Sequence, residues 1–160
     1  MTCRERLERY FREQGVEYQT TTHPEVYTAQ EVAAVQHVPG MLVAKVVMAF
    51  VDGKITALVL PAPRRVDIPR LKAALGAGEV RLAREEEFAH LFPDCEVGAM
   101  PPFANLYGVP VVVDRSLTED PRIVFNAGTH RETMSVAFAD FRRLVQPKIV
   151  EFTYPHAVTR

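Results

Sequence analysis

The chain has 160 residues, an apolar content of 48%, a charged content of 24% and a formal net charge of −1 at pH 7. These values indicate a single globular domain over residues 1–160 with a sizeable core, and they exclude a protein that coats DNA or RNA non-specifically. The first residues are charged, no apolar run is long enough to span a bilayer, and only two cysteines are present. We therefore expect a cytoplasmic protein with no membrane partner.

Two capping motifs begin the predicted helices of the N-terminal part. Thr2-x-x-Glu5 predicts a helix that ends at Gly15, and the alternation over residues 16–22 predicts a short strand. Thr28-x-x-Glu31 predicts a second helix, which Pro39-Gly40 ends.

A long apolar segment from Leu42 to Leu60 follows, interrupted by Asp52-Gly53 and by one lysine, Lys45. Asp-Gly between two apolar runs predicts antiparallel strands joined by a type I′ turn, because both turn residues need a positive φ. A two-residue loop pairs Lys45 with Leu60. The residues expected to share the face of Lys45 are Val47, Ala49, Leu58 and Leu60. Those expected on the other face are Val46, Met48, Phe50, Ile55 and Val59.

Lys45 is the anomaly of this hairpin, because both faces are otherwise apolar. An unpaired ammonium in that setting costs several kcal/mol unless a carboxylate, solvent in a cleft or an anionic ligand compensates it. The ordinary alternative is a strand-end lysine whose ammonium reaches water. Its position inside the apolar run favours a functional lysine.

The remainder of the chain alternates short helices and strands. Asp67 caps a predicted helix that ends at Gly76, and Glu85-Glu86-Glu87 begins another that Pro93 ends. A last helix is predicted over residues 138–144. The predicted strands are residues 80–82, 109–113, 123–125, 133–136 and 149–152.

Two glycine-containing loops interrupt these elements. Residues 98–103 have too many prolines for a sheet and too many apolar groups for a solvated linker, so we expect them to pack over a site or an interface. The second loop, Gly128-Thr129-His130, follows a predicted strand. By itself His130 is as consistent with a loop histidine bonded to backbone as with a functional residue.

Other catalytic motifs are weak. His130-x-Glu132 has the spacing of a zinc deaminase, but no Pro-Cys-x-x-Cys follows, so we expect no metal. Cys95 can pair with His130 or His90 as a thiol nucleophile, although a free cysteine is more often an inert buried residue. Gly76-x-Gly78 follows a helix and lacks a third glycine, which argues against a phosphate loop.

Several stretches together resemble the YbaK/ProX family of aminoacyl-tRNA deacylases, which are related to the editing insertion of bacterial prolyl-tRNA synthetase. The resemblance runs from about residue 23 to residue 152. The stretches that carry it are Val43-Ala44-Lys45-Val46-Val47, Asp52-Gly53, Val59-Leu60-Pro61-Ala62, Glu87-Phe88, Gly98-Ala99-Met100-Pro101-Pro102-Phe103, Ala127-Gly128-Thr129-His130 and Asp140-Phe141.

The resemblance implies an α+β fold in which a mixed, curled sheet, a partly closed barrel, is flanked by helices. It implies hydrolysis of the ester that joins a wrong amino acid to the 3′ adenosine of tRNA, without a cofactor. Lys45 and His130 take the places of catalytic residues in this resemblance. The implied substrate-binding residues are Gly98, Ala99, Met100, Pro101, Pro102, Gly128 and Thr129.

The expected substrate is a tRNA, with proline tRNA as the expected identity, that carries a small wrong amino acid: alanine, serine or cysteine. A synthetase is a further expected partner. Some relatives carry asparagine where this chain has Val46, and many carry glycine where it has Ala104, which leaves the amino acid open. The rival hypothesis is a non-catalytic module that binds a small ligand or an aminoacyl-tRNA. Solvated surface is the ordinary interpretation of the basic residues Arg64, Arg65, Arg142, Arg143 and Lys148.

Overall fold

The central hairpin forms as the sequence predicts. The computed structural model describes residues 1–22 and 43–154, so the predicted helix after Thr28 and its stop at Pro39-Gly40 lie outside the described residues. Strands β2 (Ala44–Val51) and β3 (Lys54–Pro61) are antiparallel, and Lys45 pairs with Leu60. Asp52 and Gly53 have φ values of 48° and 80°, as a type I′ turn requires.

The hairpin is the centre of a five-stranded mixed sheet. Its other strands are β4 (Val80–Leu82), β5 (Val111–Asp114) and β8 (Lys148–Val150), in the order β4-β2-β3-β5-β8. The β4 strand is antiparallel to β2, whereas β5 is parallel to β3 and β8 is parallel to β5. Parallel neighbours need long crossovers, and the intervening chain supplies the helices and the second sheet.

A separate three-stranded antiparallel sheet has the order β1-β7-β6. These strands are β1 (Tyr18–Thr22), β6 (Arg122–Asn126) and β7 (Glu132–Ala137). Among the described residues, one isolated parallel bridge, Val43 with Val124, joins the two sheets. The prediction of an α+β fold is therefore confirmed, but that of a partly closed barrel is wrong, because the ladders stop at this bridge and leave two sheets.

Four α-helices are present in the described ranges, besides three short 3₁₀ helices, Ala89–Leu91, Ala104–Tyr107 and Arg115–Glu119. The α-helices are α1 (Cys3–Gln14), α2 (Ile68–Leu75), α3 (Glu85–Phe88) and α4 (Phe138–Val145). The Thr2 hydroxyl accepts a hydrogen bond from the Glu5 N–H, and the Glu5 carboxylate accepts one from the Thr2 N–H, which is the predicted capping box. Asp67 caps α2 through the Arg70 N–H. None of these helices is both long and apolar enough to cross a membrane.

The two faces of the hairpin belong to two different cores, which confirms the predicted alternation. Val46, Met48 and Val59 join the main core, whereas Val47 and Leu60 join a smaller core beneath α2. At the centre of the main core is the Phe103 ring. Its neighbours are the rings of Phe11, Phe125 and Phe141, at centroid distances of 5.0, 5.5 and 5.3 Å.

Candidate functional site

Backbone hydrogen bonds join the two glycine loops that the sequence singled out. The Gly128 N–H donates to the Ala99 carbonyl at 2.9 Å, and the Glu96 N–H donates to the Gly128 carbonyl at 2.7 Å. Within the first loop, the Ala99 N–H donates to the Glu96 carbonyl at 3.0 Å. Residues that are 29 and 32 positions apart in the chain are thus joined through their backbones.

Gly128 is required at its position for two reasons. Its φ of 95° lies in the region that only glycine adopts without strain. A Cβ atom added there would lie 2.3 Å from Cys3 Cβ and 2.7 Å from Cys3 Sγ, because the first residue of α1 packs against the loop. The N-terminal helix therefore presses directly on the Gly-Thr-His segment.

His130 is buried, with 8% of its surface exposed, and a carboxylate orients it. Oxygen Oε1 of Glu96 accepts a hydrogen bond from the His130 backbone N–H at 2.9 Å and lies 3.1 Å from Nδ1 of the ring. The opposite ring nitrogen, Nε2, lies 3.4 Å from the position that a Cβ on Gly98 would occupy. Gly98 and His130 are therefore in contact, as the sequence-based hypothesis required, and Glu96 is a residue that the hypothesis missed.

The residues after Gly98 are mostly packed into the protein. Ala99 is completely buried and Met100 is 6% exposed, with its side chain in the main core. Pro101 and Pro102 are also buried. Ala104 and Val46, the two departures from the family pattern, both pack with the main core and away from the face of Lys45.

Lys45 is partly buried, and no carboxylate compensates its charge within residues 1–22 and 43–154. Burial is the largest cause that lowers the pKa of Lys45, and the nearby positive charge of Arg65 lowers it further. The sequence analysis offered a carboxylate, solvent in a cleft or an anionic ligand as compensation for the Lys45 charge. A carboxylate from the described residues is thus ruled out.

The bridge between the two sheets positions Lys45 relative to the second glycine loop. Val43 pairs with Val124 in parallel, and Lys45 and Asn126, the last residue of β6, each follow this bridge by two residues along their own strands. The neighbours Ala44 and Phe125 point into the main core, so Lys45 and Asn126 both point away from it. Two residues after Asn126 the chain reaches Gly128.

Asn126 is a second polar group that the sequence did not reveal. Its Oδ1 atom is buried and accepts no hydrogen bond within the described part of the chain. Thr133, opposite it on β7, and Ser135, two residues further, lie on the same face, and both are buried. This face of the second sheet thus carries an unsatisfied carbonyl oxygen, the Thr133 hydroxyl and the Ser135 hydroxyl, which accepts a hydrogen bond from Arg122 at 2.8 Å. A strand residue next to a loop motif gives no sequence signal of this kind.

Cys95 does not form the thiol–histidine pair considered from the sequence. Its Sγ lies 3.4 Å from the Tyr107 hydroxyl and 3.6 Å from Asp94 Oδ1. A hydrogen bond with Cys3, together with burial, raises the pKa of the Cys95 thiol, and the same hydrogen bond lowers that of Cys3. The Cys95 thiol contacts Tyr107, Asp94 and Cys3 instead of a histidine that could act as its general base, which argues against a Cys95 thiol hydrolase.

Comparison with known proteins identifies the family. The family described as "Aminoacyl-tRNA editing domain" matches residues 23–144, which include Lys45, both glycine loops and the hairpin. The chain belongs to this family. It is therefore a hydrolase whose substrate is aminoacyl-tRNA, as the resemblance to YbaK/ProX proteins implied.

The relatives of this editing domain agree in sequence and in fold. It is 28% identical over 153 residues to the multifunctional Ser/Thr-tRNA deacylase ProXp-y of Escherichia coli strain K12, covering 92% of this chain and 91% of the relative. A solved structure described as a proposed trans-editing enzyme for prolyl-tRNA synthetase superposes with a TM-score of 0.84 at 17% identity, covering 96% of this chain and 98% of that one. The hypothetical protein APE2540 superposes with a TM-score of 0.83 at 23% identity, over 92% of this chain and 99% of that one.

Proposed function

We propose that this editing domain acts in trans, as a free-standing deacylase that removes a small amino acid, alanine, serine or cysteine, from mischarged tRNA, with proline tRNA as the first candidate. The observation that carries the proposal is Lys45, a partly buried ammonium without a carboxylate partner among the described residues. It lies two residues beyond the bridge that joins its strand to β6, the strand that leads into the Gly-Thr-His loop. An anionic ligand is the compensation that fits a substrate with phosphates.

Lys45 is the proposed anchor for the acceptor end of the tRNA. Its ammonium binds the terminal phosphate or the ribose hydroxyls of the 3′ adenosine, in a setting where partial burial strengthens the attraction. Binding of the phosphate compensates the desolvation that lowers the pKa of Lys45. In this proposal, the Lys45 charge lowers the stability of the free protein, and the bound substrate compensates that cost.

The Gly98 loop is the proposed site for the oxyanion that develops on the ester carbonyl. The Ala99 N–H already donates to the Glu96 carbonyl, and Pro101 and Pro102 have no N–H. Gly98 and Met100 are therefore the donors in this proposal, since their N–H groups donate to no other described residue. Each such donor contributes about 3 kcal/mol to stabilisation of the transition state in comparable sites.

His130 is the proposed positioning group for the substrate or the attacking water, and Thr129 lines the same segment. Glu96 holds the ring with Nε2 toward Gly98, where the ester carbonyl is proposed to lie. No side chain of the proposed site offers an activated nucleophile. Water is therefore the attacking group in this proposal, assisted by the 2′ hydroxyl or the amine of the substrate itself.

The polar face of Asn126, Thr133 and Ser135 bears on which amino acid is removed. A site that offers buried hydrogen-bond partners to a substrate hydroxyl discriminates better than an apolar pocket does, since one methylene separates substrates by only about 1 to 3 kcal/mol. The unsatisfied Oδ1 of Asn126 suits a hydroxyl or an α-ammonium group. Together with the Ser/Thr-tRNA deacylase relative, this favours serine as the first of the three amino acids to test.

A deacylation assay over a panel of tRNAs tests the proposal. Proline, serine, threonine and alanine tRNAs are each charged with alanine, serine, cysteine and their own amino acid, and hydrolysis is compared for the wild type, Lys45→Ala and Lys54→Ala. We expect hydrolysis of a small mischarged residue by the wild type, and a loss of about 100-fold or more in Lys45→Ala, the effect of removing one essential charged contact.

Lys54→Ala is the matched control, because Lys54 lies on the same hairpin and is exposed. Equal activity of the wild type and Lys45→Ala would remove Lys45 from the mechanism. Tight binding of charged tRNA without turnover would instead establish the rival hypothesis, a non-catalytic module. The family match favours hydrolysis. Pull-down with prolyl-tRNA synthetase tests the proposed synthetase partner separately.

A further inference from the structure

The two cysteines of the chain, separated by 91 intervening residues, meet in the folded protein. The Sγ atoms of Cys3 and Cys95 and a carboxylate oxygen of Asp94 all lie within 4.8 Å of one another. Cys3 is 1% exposed, whereas Cys95 is partly exposed, so an oxidant in solution meets the pair at Cys95. Both are free thiols in this structure.

The surroundings of the pair favour sulfur–sulfur chemistry over binding of a metal ion. Both oxygens of Asp94 already accept hydrogen bonds, Oδ2 from Arg6 Nε at 2.9 Å and Oδ1 from the Tyr107 hydroxyl at 2.8 Å. A metal ion would have to displace one of these donors and approach the Arg6 guanidinium. A disulfide needs only that the two sulfur atoms close to about 2.0 Å.

The thiol pair is connected to both glycine loops. Cys3 packs against Gly128 so closely that a methyl group there would overlap it. Cys95 immediately precedes Glu96, whose carboxylate holds the ring and the backbone N–H of His130. Closing the sulfur–sulfur distance therefore moves at least one of the two supports of the Gly-Thr-His segment.

We propose that Cys3 and Cys95 are a modification site, which a hydroperoxide converts into a reversible intramolecular disulfide that alters the environment of His130. In the first step, one thiolate of the pair attacks the peroxide oxygen. The O–O bond breaks, a sulfenic acid forms and an alcohol, or water from hydrogen peroxide, is released with the thiol proton.

In the second step the other thiol attacks the sulfenic sulfur, the S–O bond breaks and water leaves. Two electrons pass from the two sulfur atoms to the peroxide, which is the only oxidant required. A dithiol reductant reverses the change by exchange through a mixed disulfide. The proposal does not depend on the deacylase function, because the bond can be measured without any tRNA.

The test exposes the full chain to hydrogen peroxide and follows intact mass and non-reducing peptide maps. We expect a mass loss of about 2 Da, a crosslinked pair of peptides containing Cys3 and Cys95, and recovery of both thiols with dithiothreitol. Cys95→Ser is the control, because serine keeps a donor for Asp94 at a partly exposed position. A circular-dichroism melt verifies that Cys95→Ser is folded. If this variant does not fold, the peptide map of the wild type alone decides whether the disulfide forms.

Two results would overturn the disulfide. One is a bond formed only between separate chains, and the other is a mass gain of about 32 Da at Cys95 with Cys3 still a free thiol, the mark of sulfinic acid. The link to His130 is read from its ring-proton NMR signal, which we expect to shift on oxidation in the wild type and not in Cys95→Ser. An intramolecular disulfide with an unchanged His130 signal would overturn that link.

Discussion

The two proposed functional side chains, Lys45 and His130, are treated by the fold in opposite ways. His130 is held from two sides, by Glu96 and by contact with Gly98, in a segment whose backbone is bonded to the neighbouring loop. Lys45 is partly buried without a carboxylate partner among the described residues, and its pKa is lowered by burial and by Arg65. In our proposal, the first region is formed before the substrate binds, whereas the charge of the second is compensated by the substrate.

The largest expected effect is a loss of stability when Gly128, in the segment that holds His130, is substituted. In Gly128→Ala the new Cβ meets Cys3 at 2.3 Å and the backbone has a φ of 95°, so we expect a loss of about 3 kcal/mol or more in the free energy of unfolding. Gly76→Ala is the control, because its φ is 62° and nothing lies within 4 Å, so about 1 kcal/mol is expected. Urea unfolding measures both. Equal losses would contradict the tight contact with Cys3.

The second prediction concerns the orientation of the His130 ring, which is changed through its partner Glu96. Glu96→Ala removes the carboxylate that contacts both its ring and its backbone, and we expect deacylation to fall about tenfold, or about 1.4 kcal/mol in barrier. Glu96→Gln retains most of the activity, because its amide oxygen accepts the same hydrogen bonds. Glu86→Ala, at a side chain that is 70% exposed, is the matched control. If Glu96→Ala kept full activity, the orientation of His130 would not matter.

A smaller effect, of opposite sign, is expected at Lys45. Lys45→Met removes a partly desolvated charge, so the free energy of unfolding should rise by about 1 kcal/mol even though deacylation is lost. Because the pKa of Lys45 is lowered on folding, this gain is full below the folded pKa and declines as the pH rises towards the ordinary lysine value. Thermal melts at neutral and alkaline pH, with Lys54→Met as the control, measure it. Destabilisation by Lys45→Met would show that its charge is already satisfied.

The smallest effect concerns Arg65. Its positive charge lowers the pKa of Lys45, so Arg65→Gln should raise that pKa and move the alkaline limb of the deacylation profile to higher pH. The rate at a pH below the alkaline limb should change little, because Lys45 carries its charge there in both proteins. The pH dependence of kcat/KM, with Arg115→Gln as the control at an exposed arginine, measures the shift. Movement to lower pH would contradict the electrostatic link.

Local rules predicted the elements of this fold well. The Asp52-Gly53 turn set the register of the hairpin, and two-residue alternation then assigned each side chain to a face, as the two cores confirm. The Thr2 capping box depends on residues three positions apart, so it too was visible in the sequence. Most boundaries shifted by one or two residues, as with β5, which was predicted to begin at Val109 and begins at Val111. The helix that Pro93 was predicted to end is a larger miss, because α3 ends at Phe88 and a 3₁₀ helix over Ala89–Leu91 follows it.

By itself, the sequence determined the hairpin, the helix caps, the family and the candidate residues Lys45, Gly98 and His130, because each depends on contacts a few residues apart or on a motif. Only the tertiary structure decided that the strands form two sheets, that Val43 bridges to Val124, that Glu96 orients His130 and that Cys3 meets Cys95. The physical reason is that such contacts join segments that are distant in the chain, 34 positions apart for Glu96 and His130 and 92 for Cys3 and Cys95. Their meeting depends on the packing of the whole chain and leaves no periodic signal in the sequence.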